Sequence, residues 1–171
     1  KTTPAELEFL DLPGFDLSDE AGRGRARSHW MAMEQANMLV FVVAGFSNQA
    51  VPAYRNKADP ARDVEELKQE MLFADLERVS ARIDKLDAAM KKPTPRQHEN
   101  LIELELMKRL RETLESEKPI SEAIHAESES RFVRSFQFLT LKPTMVVLNC
   151  GEDKAAEAGP GSGGVMVLPS F

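Results

Sequence analysis

Cysteine is nearly absent: with Cys150 alone, no internal disulfide can form, which fits a reducing compartment. Long apolar runs are absent as well. The longest, near Met38 to Gly45, falls far short of the ~20 residues a membrane helix needs. No secretory signal or lipidation motif stands out either. Basic charge is in deficit. A net charge of -6 and a pI near 5.2 exclude a general attraction to nucleic acid or anionic lipid, so neither a membrane nor direct DNA binding is expected. The three histidines, His29, His98 and His125, are too far apart to give a Cys/His metal spacing. No Ser-His-Asp or Cys-His arrangement is evident, and no internal repeat occurs. The Gly-x-x-x-x-Gly-Lys-Ser/Thr loop that cradles phosphates appears nowhere in the 171 residues.

What is present is an ordinary globular balance, 42% apolar and 29% charged, in a length that suits one domain or one domain with an insertion. Lys1 is not a methionine, and Leu168-Pro169-Ser170-Phe171 follows closely on an apolar run. Both ends are therefore expected to continue into something longer.

Leu7 to Leu10 is short and β-compatible, and Pro13-Gly14 stops it. Phe15 to Arg27, with Gly22, Gly24 and many charges, reads as a loop. Ser28 to Asn37 reads as a helix, with Trp30, Met31 and Met33 available to pack. Met38 to Ala44 is a continuous apolar run, the pattern of a strand buried on both faces of a parallel sheet. Asp59-Pro60 signals a helix start, and Asp63 with Glu66 offers a second, resembling a capping box. Val64, Leu67, Met71, Leu76, Val79, Ile83, Leu86 and Met90 then recur at helical spacing to about Lys92. Pro93-Thr94-Pro95 breaks that helix. A second follows from about Arg96 to Glu117, striped by Leu101, Leu104, Met107, Leu110 and Leu114. Two apolar stripes joined by a short turn predict an antiparallel helical hairpin. A third helix is expected over Ser130 to Leu139, buried strands over Pro143 to Leu148 and Val165 to Leu168, and a Gly/Ala loop over Ala155 to Gly164. Outside the hairpin, the alternation predicts an α/β fold with a mostly parallel sheet.

Two strand ends carry the candidate chemistry. In Asp11-Leu12-Pro13-Gly14, a carboxylate at a strand end suits a magnesium site beside a bound phosphate. A glycine amide there lets a terminal phosphate approach without a side chain in the way. Asn149-Cys150-Gly151-Glu152 also closes a strand, where ligands of open α/β sheets bind. Guanine-binding sites use Asn-Lys-x-Asp at such a place. Glu152 is one methylene longer than that Asp, and Cys150 replaces the Lys, so both weaken guanine selection. Each motif alone also reads as a plain turn or polar strand exit. A third motif, Asp59-Pro60-Ala61-Arg62-Asp63 leading into Met71 to Glu77, also reads as a capped helix alone.

Taken in order, Leu7 to Gly14, Asp59 to Asp63, Ala74-Asp75-Leu76-Glu77, Leu139 to Pro143 and Asn149 to Glu152 resemble the Obg-like ATPase family (YchF type). The resemblance covers about Glu6 to Ser170. It implies a P-loop nucleotidase G domain in two parts, 1–66 and 130–171, with an antiparallel coiled-coil insertion over 67–129. It implies ATP binding, with GTP possible, slow hydrolysis, and a cytoplasmic, ribosome-associated protein. Asp11 would organise Mg2+. Gly14 would meet the γ-phosphate, and Asn149, Cys150 and Glu152 would hold the base. Ser170 falls at the Ser of the last nucleotide motif, although Phe171 replaces the usual Ala. Phe15 occupies the position of a water-orienting glutamine, which is apolar in this family. The family's phosphate loop and TGS domain are not among these residues, so this segment alone is expected to be inactive. Two other readings stay open. One is a non-hydrolysing interaction module working through the hairpin, with Lys91, Lys92, Arg96, Lys108, Arg109 and Arg111 as its basic residues. The other is a GTPase of the wider Obg group, which Glu152 disfavours.

Overall fold

The structure is a computed structural model. It describes residues 6–14, 17, 19–45, 59–91 and 95–149, and the backbone of 165–166. Helix α1 spans Glu20–Gln35, strand β1 Leu39–Ala44, helix α2 Pro60–Met90 and helix α3 Gln97–Glu115. A 3-10 turn over Ile120–Ala123, helix α4 (Glu127–Arg134) and a second 3-10 turn over Leu139–Leu141 lead to strand β2 (Thr144–Asn149), and strand β3 is Val165–Met166.

The local signals explain most of these elements. Asp59 caps α2, accepting from the Arg62 amide at 3.2 Å, and Pro60 fills the first turn, where its missing N–H costs nothing. Asp63 does not start a second helix; it pairs with Arg62 at 2.9 Å. Helices α2 and α3 pack as the expected hairpin and bury Val79, Ile83, Leu86, Leu104, Met107, Leu110 and Leu114. Arg82 bridges the two helices, its guanidinium donating to both oxygens of buried Glu103 at 2.7 and 2.8 Å. The same hairpin core takes in Ile120, Val133 and Phe138. A second cluster lies under the sheet and joins Trp30, Met33, Leu39, Phe41, Val43 and Val146 to Val64, Leu67 and Met71 at the base of α2. Helix α2 therefore serves both cores.

β1 and β2 pair in parallel, from Leu39 opposite Thr144 to Ala44 opposite Asn149. β3 adds to the far side of β2, and it runs antiparallel.

Several expectations need correcting. Leu7 to Leu10 forms no strand: residues 6–14 carry no regular element, and Leu7, Phe9 and Leu10 are exposed. A strand exists only through a ladder partner, and none of the three strands pairs with this segment. β1 is buried on one face only, with Val40 and Val42 on the open face. Helix α1 starts at Glu20, well inside the expected loop. Asp19 caps it, accepting from the Gly22 amide at 2.6 Å, and Arg23 and Arg27 reach Glu70 and Glu77 on α2. Those tertiary contacts and the burial of Gly22 and Ala26 offset the poor helix propensity of two glycines. Met31 is exposed and Trp30 and Met33 are core. Helix α4 lies ahead of its expected position, because Glu129 folds back to accept from the amides of His125 and Ala126 at 2.8 and 3.2 Å and so fixes the start. In α3, Leu101 faces solvent instead of the seam.

Candidate functional site

Parallel pairing brings the carboxyl ends of β1 and β2 side by side, with Ala44 opposite Asn149. The Gly45 amide donates to the Asn149 carbonyl at 2.7 Å. A Cβ at Gly45 would stand 2.6 Å from Leu148 Cδ1 and 3.3 Å from the Asn149 carbonyl oxygen. A side chain at Gly45 would have to displace the Leu148 side chain and crowd the Asn149 carbonyl, so glycine suits the close approach of the two strand ends. The Asn149 side chain sits at this edge, exposed.

Asp11 and Gly14 lie on the segment leading toward α1. Leu12 anchors it, packing against the cluster beneath the sheet. Asp11 is exposed, and among the described residues its carboxylate has no hydrogen-bond or ion-pair partner. Gly14 is exposed too, and a Cβ there would meet nothing within 4 Å. Its backbone is not in the left-handed region that favours glycine. Among the described residues, neither packing nor conformation therefore demands glycine at position 14. Cys150, Glu152 and Ser170 lie outside the described residues.

Among the described residues no group of three or more His, Cys, Asp or Glu gathers as a metal cage. A lone, free carboxylate is still a hard oxygen ligand of the kind Mg2+ takes together with substrate phosphates and water, so Asp11 fits that ion and not a closed protein site.

At the amino ends of the two strands, opposite the edge that bears Asn149, sits a polar joint, several of whose members fall in two of the stretches that carry the family resemblance. Asp75 is 1% exposed, in line with Met71 and Val79 on the buried face of α2. It accepts from the Leu139 amide at 2.9 Å, the Thr140 amide at 2.8 Å and the Thr140 hydroxyl at 2.8 Å. One turn along, Arg78 pairs with Glu34 of α1, and its Nη1 donates to the Phe136 carbonyl at 2.7 Å. Lys142 Nζ donates to the carbonyls of Glu34 and Ala36, both at 2.7 Å. The joint's sequence signals are the break in the α2 stripe between Met71 and Leu76, where a carboxylate stands at the i+4 position, and the Ala74–Glu77 and Leu139–Pro143 stretches of the resemblance; their pairing with each other is not among them.

Burial pushes the Asp75 carboxyl above the ordinary value near 3.8; the three donated hydrogen bonds and Arg78 pull the other way without cancelling it. As pH rises past about 4, the unfolded chain loses this proton first. Folding stability then falls until the raised folded value is passed, and is level above it. Asp75→Asn removes that component. Urea unfolding between about pH 4 and pH 7 is therefore expected to show wild type losing ground to Asp75→Asn as pH rises. A constant difference across the window would contradict the assignment. Burial likewise lowers the Lys142 ammonium.

No protein-family profile matches the chain. By sequence it is 30% identical over 157 residues to the ribosome-binding ATPase YchF of Bacillus subtilis, spanning 92% of this chain and 42% of that protein. It is 27% identical over 148 residues to Obg-like ATPase 1 of Oryza sativa, spanning 86% of this chain and 37% of that one. The chain thus spans about two fifths of the length of these curated relatives. Among solved structures, the YchF GTPase of Schizosaccharomyces pombe superposes with a TM-score of 0.65 over 78% of this chain and 36% of that one, at 20% identity. The fold is therefore that of a P-loop NTPase.

Proposed function

From its kinship with the YchF-type Obg-like ATPases, we propose that this chain is part of a nucleotidase that binds ATP, and less readily GTP, with Mg2+ and hydrolyses it slowly. Residues 1–66 and 130–171 form the nucleotide-binding part in this reading, and 67–129 the inserted hairpin. Gly14 carries the proposal most directly. Among the described residues its lack of a side chain serves neither packing nor backbone conformation, which leaves its amide open to a group approaching from outside. A terminal phosphate fits, since the Gly14 amide can then donate to it at close range.

Asp11 would hold the magnesium ion, which supplies charge neutralisation at the phosphates. Asn149, Cys150 and Glu152 would contact the base, with Ser170 on the last motif. The longer Glu152 and the missing lysine favour adenine over guanine. With Phe15 in place of a water-orienting glutamine, the chain's own residues position and neutralise charge and supply no evident general base. Kinship with a ribosome-binding ATPase also suggests a ribosomal partner and a cytoplasmic setting. Among the described residues no helix is long and apolar enough to cross a membrane.

The test is a competitive ATP and GTP titration with Mg2+ on the full-length native protein. ATP is expected to bind more tightly. Gly14→Ala is expected to weaken ATP about tenfold while unfolding stability stays level or rises by up to ~1 kcal/mol. Unchanged ATP affinity in Gly14→Ala, or no binding of either nucleotide by wild type, would overturn the reading.

A further inference from the structure

We propose that Asp75 is a positioning residue for nucleotide binding: it fastens the hairpin to the turn that launches β2, so that a load on the hairpin resets the strand end bearing Asn149. This deepens the function proposed above and rests on it.

A buried carboxylate is costly unless it is fully compensated. For sealing the α2 seam alone, an apolar side chain at this position would serve as well. What the carboxylate adds is specific: it takes both backbone amides and the hydroxyl of the Leu139–Thr140 turn, residues 64 and 65 positions away in sequence. Fully satisfied polar networks of this kind fix one arrangement and exclude slippage. The turn sits directly before β2, which begins at Thr144 and ends at Asn149.

The joint reaches the other nucleotide arm as well. Arg78 grips Phe136 and Glu34, Lys142 grips the end of α1, and the Leu39 amide donates to the Pro143 carbonyl at 2.9 Å. Helix α1 runs back from there to its cap at Asp19, five residues after Gly14 in the sequence. On the far side, α2 continues from Asp75 to Met90, a rise of about 22 Å. The hairpin is thus a lever, the Asp75–Thr140 pair its anchor, and β2 with Asn149 and helix α1 both lead out of the same block. Any partner that displaces the hairpin changes nucleotide affinity, and the nucleotide changes that partner's affinity by the same factor.

The experiment uses the full-length native protein, a fluorescent ATP analogue with Mg2+, and amide hydrogen exchange across α2 and α3. Thr140→Val removes the hydroxyl donor but keeps the shape; Thr140→Ser keeps the donor; Asp75→Asn replaces one acceptor by a donor. Thr140→Val and Asp75→Asn are expected to weaken binding about fivefold, with Thr140→Ser close to wild type. Saturating nucleotide is expected to alter hairpin exchange in wild type and not in Asp75→Asn, a response that a purely structural role would leave intact. Binding within about twofold of wild type together with an intact exchange response overturns the proposal, whatever happens to thermal stability. Should Asp75→Asn fail to fold, the Thr140→Val and Thr140→Ser pair decides alone. If wild type binds no nucleotide, the proposed function falls and takes this inference with it; wild-type binding with indifferent variants removes this inference only.

Discussion

Asp75→Ala is expected to reduce the free energy of unfolding by about 3 kcal/mol at neutral pH, among the largest single effects available in this chain. The truncation strips the acceptor from the Leu139 and Thr140 amides and from the Thr140 hydroxyl. Thr140 is 5% exposed and Leu139 is 1% exposed, so water cannot readily take the place of the carboxylate. Each buried donor left unsatisfied costs roughly 1–3 kcal/mol. Removing a desolvated carboxylate gives part of that back, which keeps the total below the plain sum. Asp75→Asn is expected to lose less, about 1–2 kcal/mol, because it retains one acceptor and the volume and carries no charge to desolvate. Urea unfolding followed by circular dichroism checks both. A loss below ~1 kcal/mol for Asp75→Ala would mean that the turn finds other partners.

Leu110→Ala is expected to cost about 3 kcal/mol, within the range for emptying a buried leucine site. Leu110 is fully buried in the hairpin cluster with Val79, Ile83, Met107 and Leu114. Close packing there leaves little room for the neighbours to collapse into the space. Leu101→Ala is the control. It belongs to the same apolar stripe in the sequence, yet it is 45% exposed, and its loss is expected to stay near 0.5 kcal/mol. Comparing the two urea midpoints tests the burial assignment directly, and equal losses would sink it. Because α2 contributes Val64, Leu67 and Met71 to one core and Val79, Ile83 and Leu86 to the other, Leu110→Ala is also expected to loosen the sheet end of the molecule. Hydrogen exchange in β1 and β2 would report that.

The candidate site is partly legible in the sequence. The Asp11–Gly14 and Asn149–Glu152 motifs stand out as polar breaks after apolar runs and through their order along the chain, although the first follows no strand. Of these, Asp11, Gly14 and Asn149 lie on described, exposed positions. The anchor is legible only as two separate stretches, Ala74–Glu77 and Leu139–Pro143, and not as a contact between them. Asp75 stands in an ordinary helical stretch, and its significance comes entirely from Leu139 and Thr140, far along the chain.

The sequence by itself determined the helical hairpin, the Asp59 cap that opens it and the two main strands. Asp59-Pro60, the apolar stripe of α2, the proline break and the runs over Leu39–Ala44 and Thr144–Asn149 all act within a few residues of themselves. Local backbone sterics and hydrophobic periodicity are enough for that. Tertiary structure alone decided the rest: the early start of α1 across its glycines, the exposure of Leu7 to Leu10 and of Leu101, the antiparallel direction of β3, and the burial of Asp75. Each depends on which distant segment supplies a ladder, an ion pair or a covering surface, and no local pattern encodes the position of such a partner.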